Sequence, residues 1–127
     1  MNNTELLKAA RNQLLSLHKS LVDFERSLYE GINGPVTPGQ FLTVLLENAD
    51  FAWLRKFSTL IVDIDEMFAQ RDGFGDDVVT AHLKAMRRLV AMDDTDEYFR
   101  AKYQAALQQD QSAAAKQGEL RELLKEK

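Results

Sequence analysis

Residues 7–28 read LKAARNQLLSLHKSLVDFERSL, and the apolar positions in this stretch alternate spacings of three and four residues. Those positions are Leu7, Ala10, Leu14, Leu17, Leu21, Phe24 and Leu28. The spacing places them on one narrow seam of a helix, which predicts close packing against another helix. We expect this helix to begin near Thr4, or at Asn2 with Glu5 as its capping partner. We expect it to end at Gly31, because glycine accepts the left-handed conformation that ends helices.

A loop at 31–39 separates this helix from the next two, and it holds both prolines and half of the glycines. Residues 37–40, Thr-Pro-Gly-Gln, form a capping box, and the helix that follows is apolar on most sides. Such a helix is expected to be covered by its neighbours. Asp50 is expected to cap a third helix. Its seam is Trp53, Phe57, Leu60, Ile64 and Met67, which predicts that the first and third helices are the main antiparallel pair.

Three shorter helices complete the pattern. Their apolar positions are Val79, Leu83, Met86 and Val90, then Phe99, Tyr103 and Ala106, then Leu120, Leu123 and Leu124. The last stripe is thin and Gly118 costs about 1 kcal/mol relative to alanine, so we expect 111–127 to be a loosely attached C-terminal helix. No stretch alternates apolar and polar residues as a strand does. The sequence predicts an all-α fold: a helical bundle of about five to six helices in a single domain over 1–127.

Composition limits the partners of this chain. Sixteen Lys and Arg against twenty Asp and Glu leave a net charge of −4 and a pI near 5.2, the wrong sign for binding phosphates, so we expect no nucleic-acid partner. There is no cysteine, which excludes disulfides and zinc–thiolate sites. The N-terminus lacks the pattern of a secretory signal, and no segment approaches the ~20 apolar residues of a membrane span. We therefore expect a cytoplasmic protein.

Two helix flanks mix titratable and apolar residues, and together with His82 they supply the candidate ligand-binding residues. The candidates are His18, Glu25 and Tyr29 on the first helix, Ser58 and Asp65 on the third, and His82 on the fourth. We expect the flanks of the first and third helices to face a shared groove, where burial would raise the pKa of a carboxylate. His18 and Glu25 are seven residues apart, about 10 Å along the axis, so a working site needs a group from another helix between them.

A structural role is the competing interpretation of these residues. A His or Glu at the edge of a helical seam is more often paired with arginine or backbone than catalytic. If Glu25 is buried it needs a cation, and Arg26 or Arg55 could supply one. The Glu-x-x-His pairs of di-iron bundles are missing, and the aspartates at 72–77 lack the spacing of a calcium loop. We therefore expect no metal site, no cofactor and no catalytic residue.

Six blocks of the chain carry a resemblance. They are LHKSLVDFER at 17–26, YE at 29–30, GPV at 34–36, FL at 41–42, FAWLR at 51–55 and IDE at 64–66. Together they resemble a family of small uncharacterised bacterial all-helical proteins. The resemblance covers the first three helices, more than half of the chain. It implies a bacterial origin and assigns neither an activity nor a site.

The seams and the thin last helix favour a non-enzymatic interaction or regulatory protein that self-associates, as a homo-oligomer, or binds a protein partner. The alternative is a small-molecule or metal-binding protein whose site lies in the groove between the first and third helices.

Overall fold

The first helix is the longest element of this computed structural model, which describes residues 1–125. It is α1 (Asn3–Asn33), thirty-one residues and about 46 Å long. The side chain of Asn2 accepts a hydrogen bond from the backbone N–H of Glu5 at 2.8 Å, which confirms the predicted cap. The predicted end at Gly31 is wrong. The helix continues to Asn33 and ends at Gly34, which has a φ of 86° and precedes a proline that disfavours helical backbone at that residue.

Within the described residues, five further α-helices and one 3₁₀ helix follow α1. They are α2 (Pro38–Glu47), the 3₁₀ helix (Ala49–Leu54), α3 (Arg55–Phe68), α4 (Asp76–Val90), α5 (Glu97–Gln109) and α6 (Gln111–Leu124). Residues 1–125 contain no strand, and the predicted all-α helical bundle is confirmed. No helix in this part of the chain has the length and apolar character needed to cross a membrane.

The helix starts are set mainly by local caps. Thr37 and Gln40 form the predicted capping box at α2, and Asp96 and Asp110 cap α5 and α6. The expectation that Asp50 caps α3 is wrong. Asp50 lies in the first turn of the 3₁₀ helix, where its N–H donates to the side chain of Asn48 at 2.9 Å. The 3₁₀ helix runs directly into α3, so α3 begins without a side-chain cap.

Helix α1 lies against α3, α4 and α6, and its contacts with α3 show the predicted antiparallel arrangement. Arg11 reaches Asp65 near the C-terminal end of α3, and His18 packs on Phe57 near its N-terminal end. Five positions of the α1 seam, from Leu7 to Leu21, are fully buried.

The most extensive contact of α1 is with α6, a pairing that the apolar spacings do not predict. The hydroxyl oxygens of Ser112 and Ser20 lie 3.2 Å apart, and the ammonium of Lys116 donates a hydrogen bond to the Ser20 hydroxyl at 2.8 Å. The apolar stripe of α6 is thin, yet Ala113, Leu120 and Leu124 are all buried. Whether α6 is loosely attached depends on the free energy of its detachment, and that expectation stays a prediction.

Helix α2 differs from its prediction. The sequence predicts that α2 is covered by its neighbours. This prediction is wrong, because Phe41 is the only buried residue of α2. Leu42 and Leu46 are 56% and 63% exposed. These leucines are exposed because α2 contacts the 3₁₀ helix and reaches α1 only near the C-terminal end of α1. An apolar composition therefore does not mean burial here.

Candidate functional site

Glu25 is the most deeply buried of the six candidate residues, with 4% of its side chain exposed. Its carboxylate pairs with the Lys102 ammonium of α5 at 3.4 Å. The two expected partners are engaged elsewhere: Arg26 pairs with Glu30 at 3.3 Å and Arg55 donates to the carbonyl of Leu46. No local signal in the sequence indicates Lys102, because the pair joins α1 to a helix more than seventy residues away. The pairing gives Glu25 a structural role in joining the two helices.

The other candidates also have structural partners. Asp65 accepts two hydrogen bonds of 2.8 Å from the guanidinium of Arg11, a bidentate pair that links α1 to α3. The ring of Tyr29 packs against Phe41 and Phe51, with centroid distances of 5.8 and 6.3 Å. These contacts connect the end of α1 to α2 and to the 3₁₀ helix.

Among the described residues, neither Ser58 nor His82 forms a hydrogen bond or ion pair with the candidates on α1. The Ser58 hydroxyl donates to the carbonyl of Arg55 at 3.3 Å, within its own helix, and His82 is half-buried on α4. Ser58 lines a shallow depression of about 200 Å³ with Thr59, Val62 and Asp63. The six residues are thus distributed over several contacts, and their role in ligand binding stays a prediction.

His18 is half-buried between α1 and α3, with its ring 6.3 Å from that of Phe57. Burial lowers the pKa of His18, because the charged imidazolium loses hydration beside an aromatic ring. The folded protein therefore binds a proton at His18 less readily than the unfolded chain does.

This difference predicts a pH dependence of stability. As pH falls below about 6.5, the unfolded chain takes up a proton at His18 that the folded protein resists, so the free energy of unfolding decreases. The slope from this one group is at most about 1.4 kcal/mol per pH unit. Chemical denaturation between neutral pH and about pH 5.5 should show a flatter dependence for His18→Gln than for the parent. His82→Gln is the matched control, and equal slopes in the parent and His18→Gln would contradict the prediction.

One cavity in the described part of the chain is lined by none of the six candidates. It is an open groove of about 870 Å³ between the start of α3, the end of α4 and the α4–α5 connection. Its apolar lining comes from Trp53, Leu60 and Leu89. The groove is within the size range of small-molecule sites. The sequence patterns identify the aspartates at 93–96 as helix caps only, and none of them indicates that these residues border a groove.

The charged side chains that line this groove are largely paired with each other. The ammonium of Lys56 lies 3.1 Å from the carboxylate of Asp94 and 3.8 Å from that of Asp96. Arg88 pairs with Asp93 at 3.2 Å. The backbone N–H of Asp96 and the ammonium of Lys56 lower the pKa of Asp94, because both stabilise its ionised form. The Lys56 pairs link α3 to the α4–α5 connection, and the Arg88 pair links the end of α4 to the same connection.

A second surface feature is aliphatic. Leu28 and Ile32 on α1 are 44% and 85% exposed, and they lie one turn apart on the same face. Leu42 and Leu46 repeat this arrangement on α2. Tyr29 and Phe41 are in ring contact, which places both pairs at the same end of the molecule. We call these four residues the apolar end.

The apolar end exists because α1 is longer than the helices beside it. Helix α6 begins at Gln111, and near its start the Ser112 hydroxyl lies 3.2 Å from that of Ser20 on α1. The predicted α1 seam continues beyond this level to Leu28, where α6 no longer covers it. Periodicity indicates which face of α1 is apolar, but it does not indicate where the covering helix begins.

Residues 1–125 contain no group of three or more His, Asp or Glu side chains arranged to hold a metal ion. Comparison with known protein families, curated proteins and solved structures finds no match to this chain. The resemblance to a bacterial family therefore stays a prediction.

Proposed function

We propose that this protein is a non-enzymatic interaction protein that binds a protein partner, either another copy of itself or a different chain, through the apolar end. The observation that carries the proposal is the exposure of α2, an apolar helix with a single buried residue. Fully burying one leucine or isoleucine side chain stabilises a complex by about 1.5–3 kcal/mol. Four such side chains at one end of the molecule form the kind of exposed patch that marks interaction sites.

The chemistry of the apolar end supports binding over catalysis. Its four side chains are aliphatic and carry no acid, base or nucleophile. They extend the buried seam of α1 and the aromatic contacts of Tyr29, so a partner would continue a packed surface that already exists. Helix-in-groove recognition uses apolar residues at i and i+4, the spacing of both pairs.

Replacing two leucines of α2 by glutamate should abolish partner binding. Each substitution removes buried apolar area and adds a charge that the interface must desolvate, so Leu42→Glu with Leu46→Glu should weaken binding on the order of a hundredfold or more. The measurement is the amount of protein retained from cell extract by the immobilised parent and by the variant, with native mass spectrometry of what is retained.

Val62→Glu is the matched control, because Val62 is a 51% exposed aliphatic residue on α3. Both variants should keep the helix content of the parent by circular dichroism, since the altered side chains are largely exposed. Equal retention by the parent and the α2 variant would contradict the proposal.

A small-molecule-binding protein is the second candidate, and the groove of about 870 Å³ favours it. For this candidate, the ligand site lies between α3, α4 and the α4–α5 connection. The sequence instead predicts it at the flanks of α1 and α3. The same native mass spectra distinguish the two functions, since a small non-covalent mass on a single chain supports the groove. Cytoplasmic location and bacterial origin stay predictions from the sequence.

A further inference from the structure

The apolar end overlaps the longest uncharged stretch of the chain. Residues 31–46 are sixteen consecutive residues without Asp, Glu, Lys or Arg, whereas the next longest such stretches, 12–18 and 103–109, have seven. Three residues of the apolar end, Ile32, Leu42 and Leu46, fall within it. This part of the chain therefore presents apolar side chains and uncharged polar ones to a partner, the polar ones being the exposed Asn33, Thr37, Gln40 and Thr43.

The charged side chains of Arg26, Glu30 and Arg55, which contact the stretch, are already engaged, whereas Glu47, which directly follows it, is exposed. Arg26 pairs with Glu30 and also donates to the carbonyl of Val36 at 2.7 Å. Arg55 donates to the carbonyl of Leu46, within the stretch itself. A partner recognised by its charge would need a free charged group on this face, and 31–46 supplies none.

Because the chain has a net charge of −4, its uncharged stretch is the most favourable place for two copies to meet. Two copies of an acidic chain repel each other, and the repulsion is smallest when they meet where neither carries charge. Contact through 31–46 also desolvates few ions, because the charged groups that contact the stretch, Arg26, Glu30 and Arg55, are already paired or hydrogen-bonded within the chain. A second copy presents the same uncharged aliphatic surface, so the two surfaces match in chemistry.

The size and shape of the apolar end fit a symmetric contact. The segment from Leu28 to Glu47 has nineteen exposed or half-buried residues, compared with about 20–30 residues on each side of a standard protein interface. In a two-fold contact the same patch meets itself, which requires a self-complementary ridge. Leu42 and Leu46, one turn apart on the exposed side of α2, form such a ridge.

We infer that the partner bound at the apolar end is a second copy of this chain, related by a two-fold axis so that α2 of one copy packs against α2 of the other. The inference rests on the proposed function, and it names the partner of the same surface. The resulting dimer buries Leu42 and Leu46 of both copies and extends the seam of each α1.

The first test is the mass of the purified chain in solution by sedimentation equilibrium, over a wide concentration range. The parent should reach twice the 14.5 kDa mass of one chain. Leu42→Glu should shift the midpoint of dimer formation to at least tenfold higher concentration, whereas Val62→Glu should leave it unchanged.

The second test locates the symmetry axis, and it uses the absence of cysteine from the chain. Thr43 lies on the exposed side of α2, and Thr80 is similarly exposed on α4. Under mild oxidation a Thr43→Cys variant should form a disulfide-linked dimer at concentrations at which Thr80→Cys forms no disulfide between copies. Both substitutions make only a small change to an exposed side chain, so both proteins should fold.

Two results would overturn the inference. A parent that stays monomeric at every concentration excludes the second copy, and the proposed function then survives only if retention from extract still depends on Leu42 and Leu46. A dimer that tolerates Leu42→Glu, or that cross-links through Thr80→Cys and not through Thr43→Cys, places the contact between copies elsewhere on the bundle.

Discussion

A chain that ends at Asp110 is expected to lose cooperative thermal unfolding, because α6 completes the core around α1. The truncation removes Ala113, Leu120 and Leu124, which are buried, and exposes the seam positions of α1 that α6 covers. It also removes the hydrogen bond from Arg87 to the carbonyl of Leu124 and the bond from Gln117 to the carbonyl of Val90.

The magnitude follows from the burial of the leucines. Truncating one fully buried leucine to alanine costs about 2–5 kcal/mol, and the whole stability of a small domain is about 5–15 kcal/mol. Loss of two such leucines, together with exposure of their partners on α1, is therefore of the same size as the stability of the fold. Circular dichroism during heating should show a gradual loss of helix in place of a sharp transition.

A single substitution provides the matched comparison. Leu120→Ala should lower the free energy of unfolding by about 3 kcal/mol, whereas Leu123→Ala, at a half-buried position on the same helix, should cost clearly less. If the truncated chain melts at the temperature of the parent, α6 is loosely attached, as its thin apolar stripe predicts. Burial of Leu120 and Leu124 would then contribute little to the stability of the bundle.

Phe57→Ala is expected to be among the most destabilising single substitutions in the protein. Its fully buried ring contacts Trp53, Phe99 and Tyr103, with centroid distances of 6.1, 6.0 and 5.2 Å. The substitution leaves a cavity at the centre of this aromatic cluster, where α3, α5 and the 3₁₀ helix meet. A loss of about 3–5 kcal/mol in the free energy of unfolding is typical of such a change.

Chemical denaturation followed by the fluorescence of Trp53, the only tryptophan, measures this loss directly. The near-ultraviolet circular dichroism of the folded variant should also weaken, because the tryptophan loses a fixed aromatic neighbour. Phe74→Ala is the control, since Phe74 lies in the exposed connection before α4. A cost below about 1 kcal/mol at Phe57 would show that the cluster can rearrange to fill the space.

The candidate site shows how far local patterns extend. Periodicity placed Glu25 beside a buried seam and indicated that a cation would be needed. The cation is Lys102, on a helix whose position relative to α1 is a property of the whole bundle. Several lysines and arginines could satisfy the same carboxylate in an unfolded chain, and only packing selects one of them.

The exposure of the apolar end also depends on the tertiary structure. The composition of α2 is typical of a covered helix, and the α1 seam continues without a break to Leu28. Burial, however, depends on where the neighbouring helices begin and end, and α6 begins opposite Ser20. The exposed leucines are therefore visible only after the bundle is assembled.

By itself, the sequence determined the order of the six α-helices, the caps at Asn2 and Thr37, and the buried positions of α1 from Leu7 to Leu21, because these depend on groups three or four residues apart. The tertiary structure decided that α6 is the most extensive partner of α1, that a groove forms between α3 and α4, and that α2 stays open. The reason is physical: many apolar faces are similar in composition, and the choice among their pairings depends on the fit of the whole chain.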